Sequence, residues 1–267
     1  MKSYLSYFRI RFITNLQYRM DAIAGITTQI FFGLIFIMVY LAFYESGGEN
    51  LPMNYSELVT YLWLSQAFFA LIFPYERDNE LLGMIKNGNL AYELIRPQDF
   101  YFKWYIKMIS KKLVATLLRF GPVIILGIIL PYPFHLSGPK SLESFIIFII
   151  SLILALLLVT SLSLCMHILT MFMLDEKGPI TLYSVVADLF MGAVVPIPFF
   201  PGWLQKISSF LPFRYITDFP FRIYLGSIPI SEGYNMLILS FIWIIITIFI
   251  GHIVSRVALR KAVIQGG

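Results

Sequence analysis

Six runs of apolar residues, each near the length that crosses a bilayer, constrain this chain more than any other feature. A hydrocarbon core about 30 Å thick requires about 20 consecutive apolar residues in a helix. The runs fall at about 22–44, 58–75, 110–130, 145–173, 179–200 and 234–255. Inside lipid every backbone polar group must be satisfied by the protein itself, which leaves helices or closed barrels. The period-2 alternation of a lipid-facing barrel is missing from these runs. The expected fold is therefore all-α, a polytopic membrane protein of six transmembrane helices in one transmembrane domain over residues 1–267. Charged residues make up 13% of the sequence, against about 25% in soluble domains. The N-terminus lacks the short basic tip, apolar core and small-residue cleavage site of a signal peptide, so the first run is expected to stay as a span.

Basic residues collect on the cytosolic side of membrane proteins. With six spans, fifteen Lys and Arg residues fall on the side of the termini and only Lys140, Lys206, Arg214 and Arg222 on the other, with Arg119 inside a span. Both termini are therefore expected in the cytosol. The opposite loop 45–57 carries Glu45, Glu49 and Glu57 and no basic residue, which agrees. The same asymmetry accounts for the formal charge of +5 without nucleic acid as a partner. Residues 1–21 read as an interfacial helix, with Leu5, Phe8, Phe12 and Leu16 on one face and basic residues near anionic lipid.

Between the second and third runs lies a cytosolic segment, 76–112, too charged for lipid. It opens Glu76-Arg77-Asp78-Asn79-Glu80 and ends in a basic run with Lys103, Lys107, Lys111 and Lys112. Leu81, Leu82, Met84 and Ile85 form an apolar edge of a short helix, and Gly88-Asn89 suits its stop. Pro97 disfavours helix at Arg96. Asp99 is placed to cap the next helix. The segment reads as a two-part helical elbow whose apolar edge marks an interface.

The second irregular region is 194–233. Pro196, Pro198 and Pro201 end the fifth run, yet Trp203, Leu204, Ile207, Phe210 and Leu211 keep the chain apolar up to Pro212 and Phe213. Proline breaks a helix by removing a donor. Continued apolarity past the break suggests short helices re-entering the outer leaflet, where the freed backbone groups need partners.

Arg119, His167 and Asp188 are ionisable residues that fall well inside the runs. At 1.5 Å per residue they lie at similar depths, on the order of 10–15 Å, and such residues pair or face water. Arg119 and Asp188 are expected to approach each other with His167 nearby, either as a substrate-contacting pair or as a structural ion pair. Tyr61, Trp63, Phe68, Phe69 and Phe73 line an apolar path or pack the core. Cys165 is the only cysteine and is expected to be a packing residue. The sequence has no catalytic or metal-ligand signature: H-E-x-x-H, G-x-S-x-G and G-x-x-x-x-G-K-[ST] are all missing, and Gly138-Pro139-Lys140-Ser141 lacks a Gly-rich lead-in. An enzyme is therefore not expected. A channel or a secondary transporter driven by an ion gradient is the alternative class; it usually shows paired internal repeats and midplane helix breaks.

Two stretches carry a resemblance. Lys86-Asn87-Gly88-Asn89-Leu90-Ala91 followed by Leu94-Ile95-Arg96-Pro97, and Phe199-Phe200-Pro201-Gly202-Trp203-Leu204 followed by Leu211-Pro212-Phe213-Arg214-Tyr215, sit where the membrane subunits of type-2 ABC exporters carry similar segments. With the basic N-terminal helix and six spans, nearly the whole chain resembles that family. The resemblance implies a permease subunit of an ATP-binding cassette exporter in the cell membrane of a bacterium or archaeon. It implies pairing with a second permease, identical or related, and docking on two cytosolic ATPase subunits that bind ATP and Mg, with membrane lipid around the pair. Glu80, Leu81, Met84, Ile85, Leu90, Glu93, Arg96 and Pro97 become the expected ATPase-coupling residues. Pro196, Pro198, Pro201, Trp203, Pro212 and Phe213 become the expected external gate. A small amphipathic molecule, peptide or lipid, a drug or an antibiotic among them, is the expected cargo.

Overall fold

A computed structural model of the chain describes residues 2–47, 51–75, 77–86, 93, 95, 97–173 and 177–261. Every regular element among them is helical. The helices are α1 (Lys2–Asn15), α2 (Arg19–Glu45), α3 (Tyr55–Ala67), α4 (Phe69–Ile72), α5 (Asn79–Lys86), α6 (Phe100–Ile129), α7 (Leu142–Leu169), α8 (Lys177–Met191), α9 (Gly202–Phe210), α10 (Asp218–Leu225) and α11 (Ile230–Lys261). Short 3-10 turns occupy Thr170–Phe172, Ile197–Phe199 and Pro212–Tyr215.

Among the described residues, four helices are long and apolar enough to cross a membrane: Arg19–Glu45, Phe100–Ile129, Leu142–Phe172 and Ile230–Arg260. They match four of the six expected runs. The other two are shorter and interrupted. The 58–75 run folds as α3 and α4, separated at Phe68. The 179–200 run gives α8, whose apolar part is Ile180–Met191.

The reason α3 can be short lies in its burial. Asn54 caps its start in a reciprocal box, accepting from the Glu57 amide at 2.8 Å while the Glu57 carboxylate accepts from the Asn54 amide at 3.2 Å. From Leu58 to Ala67 every residue is buried. A helix covered on all sides belongs to a core rather than a lipid surface. It packs on α2, α6 and α10. Its polar side chains point at irregular backbone: Trp63 Nε1 donates to Phe134 O at 2.8 Å, and Thr60 Oγ1 accepts from Ser137 N at 3.0 Å.

The most extensive helix pairing joins α7 to α11. Along the other side of the bundle, α1 and α2 run in step with α6. Tyr4 meets Asp99, Tyr7 faces Lys103, and Gly25 lies under Arg119. Farther on, Gly33 and Gly127 both press against Trp63. Residue numbers rise together on both partners, so the two helical stretches are parallel neighbours. The sequence pattern put Leu5, Phe8, Phe12 and Leu16 on one face of the N-terminal helix. Phe8, Phe12 and Leu16 are half-buried together with Tyr4, Tyr7 and Arg11, while Leu5, Ile10 and Ile13 are exposed. Polar and aromatic anchors to α6 and the elbow set the rotation of this helix.

Candidate functional site

At the end of the bundle that gathers α1, α5 and the start of α6, charged side chains form a connected clamp. Asp78 begins it. Its Oδ1 accepts from the Leu81 amide at 3.0 Å, which holds the first turn of α5. Both of its carboxylate oxygens accept from Lys107 Nζ on α6, at 2.8 and 2.7 Å. Lys107 also reaches Glu80 Oε2 at 2.8 Å, and Glu80 Oε1 pairs with Arg11 on α1 at 3.1 Å. The Lys107 ammonium sits 4.3 Å from the centre of the Trp104 ring. Asp78 and Lys107 are almost fully buried, whereas the Glu80 side chain is 44% exposed. Burial pushes the Asp78 carboxyl up, but Lys107 and the Leu81 amide outweigh it and hold the group below its ordinary value. For Glu80, burial again opposes, and Lys107 and Arg11 bring it below its ordinary value.

A second tie fixes the clamp to α7. The Asp78 amide donates to His167 Nε2 at 3.1 Å, and His167 Nδ1 lies 2.8 Å from Ser163 O. One ring nitrogen accepts and the other donates, which makes His167 a neutral imidazole protonated on Nδ1. The ring has no exposed surface and stacks on Tyr75 at 4.7 Å. Nearby, Lys112 Nζ donates to Phe73 O at 2.7 Å, closing the end of α4. Glu93 forms a buried ion pair with Lys103. Asp99 caps α6 as the sequence predicts, accepting from Phe102 N at 3.1 Å, and its carboxylate lies 3.6 Å from His252 on α11.

The underside of the elbow is apolar. Leu81 joins a buried cluster with Phe100, Tyr101, Trp104, Leu164 and Ile168, and Met84 and Ile85 pack at its edge. The sequence pattern placed Leu81 and Glu93 on a surface offered to a partner. Both are instead buried, because the aromatic shelf of α6 covers the first and Lys103 holds the second. Facing outward are Asn79, Glu80, Ile95 and Pro97, with Ile95 80% exposed. Glu76, the Gly88-Asn89 turn, Leu90 and Arg96 lie outside the described residues.

At the opposite end, α8 stops at Gly192, whose φ of +75° is open to glycine but strained for other residues. Three successive carbonyls there lose their helical partners. Each accepts from a side chain: Gly192 O from Tyr61 at 2.7 Å, Ala193 O from Ser65 at 3.2 Å, and Val194 O from Tyr40 at 3.1 Å. Non-helical backbone inside apolar surroundings requires such partners. Pro196 and Pro212 are buried, Pro198 and Phe213 half-buried, and Pro201 and Trp203 exposed on α9 and its entry. Asp218 is fully buried at the start of α10, with Arg222 at 3.5 Å and Arg214 at 3.9 Å.

The three intramembrane polar residues do not come together. Arg119 Nη2 donates to the backbone carbonyl of Asp21 at 3.2 Å. Asp188 lies half-buried on α8, which packs chiefly on the turn Pro212–Tyr215. His167 serves the clamp. The expected Arg119–Asp188 pair is therefore not formed among the described residues: equal depth does not make two helices neighbours, and α2 rather than α8 flanks Arg119. Tyr61 and Trp63 are fully buried core residues and Phe68 packs against both clusters around them, so they line no open path within this chain.

The chain matches the model of the family described as ABC-2 family transporter protein over residues 22–266. No curated protein matches it.

Proposed function

The chain belongs to the ABC-2 family of transporter proteins, and from that premise we propose that it is the permease subunit of an ATP-driven exporter. It is a multi-pass membrane protein by family and by its apolar helices. In this reading six segments cross the cell membrane, α3–α4 and α8 being the two short ones, and both termini are cytosolic. Two permease chains, identical or related, enclose the path. Two separate ATPase subunits supply the energy, each binding ATP and Mg. The cargo is a small amphipathic molecule, peptide or lipid.

The single observation that carries the coupling part of this reading is the clamp at the elbow. Asp78 is bonded at once to α5, α6 and α7, and Glu80 ties the same group to α1. A force applied at α5 is thereby shared among three other helices rather than absorbed by a loose loop. Glu80, Ile95 and Pro97 provide the outer face, with Leu90 and Arg96 as further docking residues. Leu81, Met84, Ile85 and Glu93 transmit from beneath. At the far end, the break at 192–194 and the short helices over 194–233 form the gate, with Pro196, Pro198, Pro201, Trp203, Pro212 and Phe213 in it.

Co-expression with an ABC ATPase from the same organism tests the proposal. The expected result is a stable complex whose reconstituted vesicles move an amphipathic reporter only with ATP and Mg. Transport that follows an ion gradient and ignores ATP would contradict it.

A further inference from the structure

Arg119 presents an unsolved charge. It lies within the apolar span of α6, beside Gly25 of α2, where a Cβ would come within 2.6 Å of its guanidinium. Glycine at that position makes room for the group. Its Nη2 has only a backbone carbonyl, its buried Nε has no hydrogen-bond partner, and among the described residues no carboxylate pairs with it. A cation inside a span ordinarily finds an anion or water.

Beside it is a cavity of about 420 Å³ between α1, α2, α6 and the elbow, within the range of roughly 300–1,000 Å³ seen for small-molecule sites. Among the described residues, Arg11, Arg77, Lys107, Lys111 and Arg119 line it, with Asp21, Asp78 and Glu80. Glu80 and Asp78 are already engaged by Arg11 and Lys107. Polar Thr14, Asn15 and Asn79 also line it, and Val114, Ala115 and Leu118 give it an apolar wall on one face of α6. On either side of the lining residues Asp21 and Ala22, Met20 and Ile23 are exposed at 76% and 56%.

We propose that this cavity binds a phosphate group carried by an anionic membrane lipid. The cations face the headgroup, Arg119 takes a phosphate oxygen, and the acyl chains lie along the exposed apolar residues beside it. Basic pockets between spans on the cytoplasmic side suit such headgroups. A free phosphate shares the charge but has no use for the apolar wall. The site does not require the transport reading above, since lipid binding is measured on the chain without its ATPase.

The test titrates the purified full chain, in neutral detergent, with short-chain phosphatidylglycerol, matched phosphatidylcholine and inorganic phosphate. Native mass spectrometry counts bound lipid. Saturable binding of the anionic lipid is expected, with the zwitterionic lipid bound at least about fivefold more weakly, the ratio for about 1 kcal/mol per cation. Arg119→Gln should weaken the anionic lipid by about the same factor, while Arg119→Lys and the outlying Arg256→Gln should not. If Arg119→Gln does not fold, Lys111→Gln carries the same expectation. Equal binding of the two lipids, or an equal loss with Arg256→Gln, would overturn the proposal. Displacement of the lipid by an equal concentration of inorganic phosphate would assign the site to the free anion and overturn the lipid occupant.

Discussion

Replacing Lys107 with methionine removes the centre of the clamp while keeping the length of the side chain. Lys107 Nζ lies 2.7–2.8 Å from three carboxylate oxygens, two on Asp78 and one on Glu80. At an effective dielectric near 20, a unit pair at that distance attracts by about 6 kcal/mol before desolvation is subtracted. Removing one member of a buried pair leaves the other charge stranded, which typically costs about 3–5 kcal/mol. Asp78→Asn should cost less, because an amide oxygen still accepts from Leu81 and Lys107 keeps Glu80. Glu80→Gln, at a side chain 44% exposed, should cost under about 1 kcal/mol. The predicted order is thus Lys107→Met, then Asp78→Asn, then Glu80→Gln. Hydrogen exchange of the Leu81 and Leu82 amides in detergent, alongside thermal unfolding, reads it. Combining Asp78→Asn with Lys107→Met should recover part of the single-lysine loss, since no lone charge remains. A silent Lys107→Met, or a Glu80→Gln as damaging as Lys107→Met, would refute the clamp.

Three other expectations follow from the same geometry. Tyr61→Phe leaves the buried Gly192 carbonyl without its donor and should lower stability by about 1–3 kcal/mol, as should Gly192→Ala at φ +75°; thermal unfolding of either variant at wild-type temperature would count against the satisfied-break account. Asp78 and Glu80 titrate below their ordinary values in the fold, so their contribution is present above the unfolded carboxylate range, about pH 4, and is lost as the pH falls through the lowered values. Exchange protection of α5 should accordingly be flat from neutral pH down to about 5 and collapse below about 4; loss already at about pH 6 would point to a different group. Because Arg119 and Asp188 do not pair, the stability changes of Arg119→Gln and Asp188→Asn should add to within about 0.5 kcal/mol, and a larger coupling in the double mutant would show that they meet.

What the sequence made legible was set by local physics. Four long spans follow from run length alone, and the Asp99 cap and the break before Pro196 follow from residue chemistry. The second apolar run was legible as apolar but not as core, because a lipid-facing helix and a fully enclosed one share a composition; only the packing of α2, α6 and α10 around Leu58–Ala67 distinguishes them. Lys103, Lys107 and Lys111 recur every four residues on α6, a spacing that already aligned them on one face, yet as basic residues near a span they read first as topology signals. Asp78 gave no signal of its own, since its three bonding partners come from residues 81, 107 and 167. The inward turn of Leu81 had the same cause: an apolar edge is visible in sequence, but the aromatic shelf that covers it is not.

The central claim is that the outer face of the elbow meets the ATPase while the 194–233 region stays clear of it. Cys165 is the only cysteine in the chain, so a Cys165→Ser background allows single cysteines at Ile95, at Pro97 and, as the opposite-end reference, at Trp203. With the ATPase co-expressed, a thiol-to-amine crosslinker should join it to the chain from Ile95→Cys and Pro97→Cys, and not from Trp203→Cys. Crosslinking from Trp203→Cys with none from the two elbow positions would contradict the account.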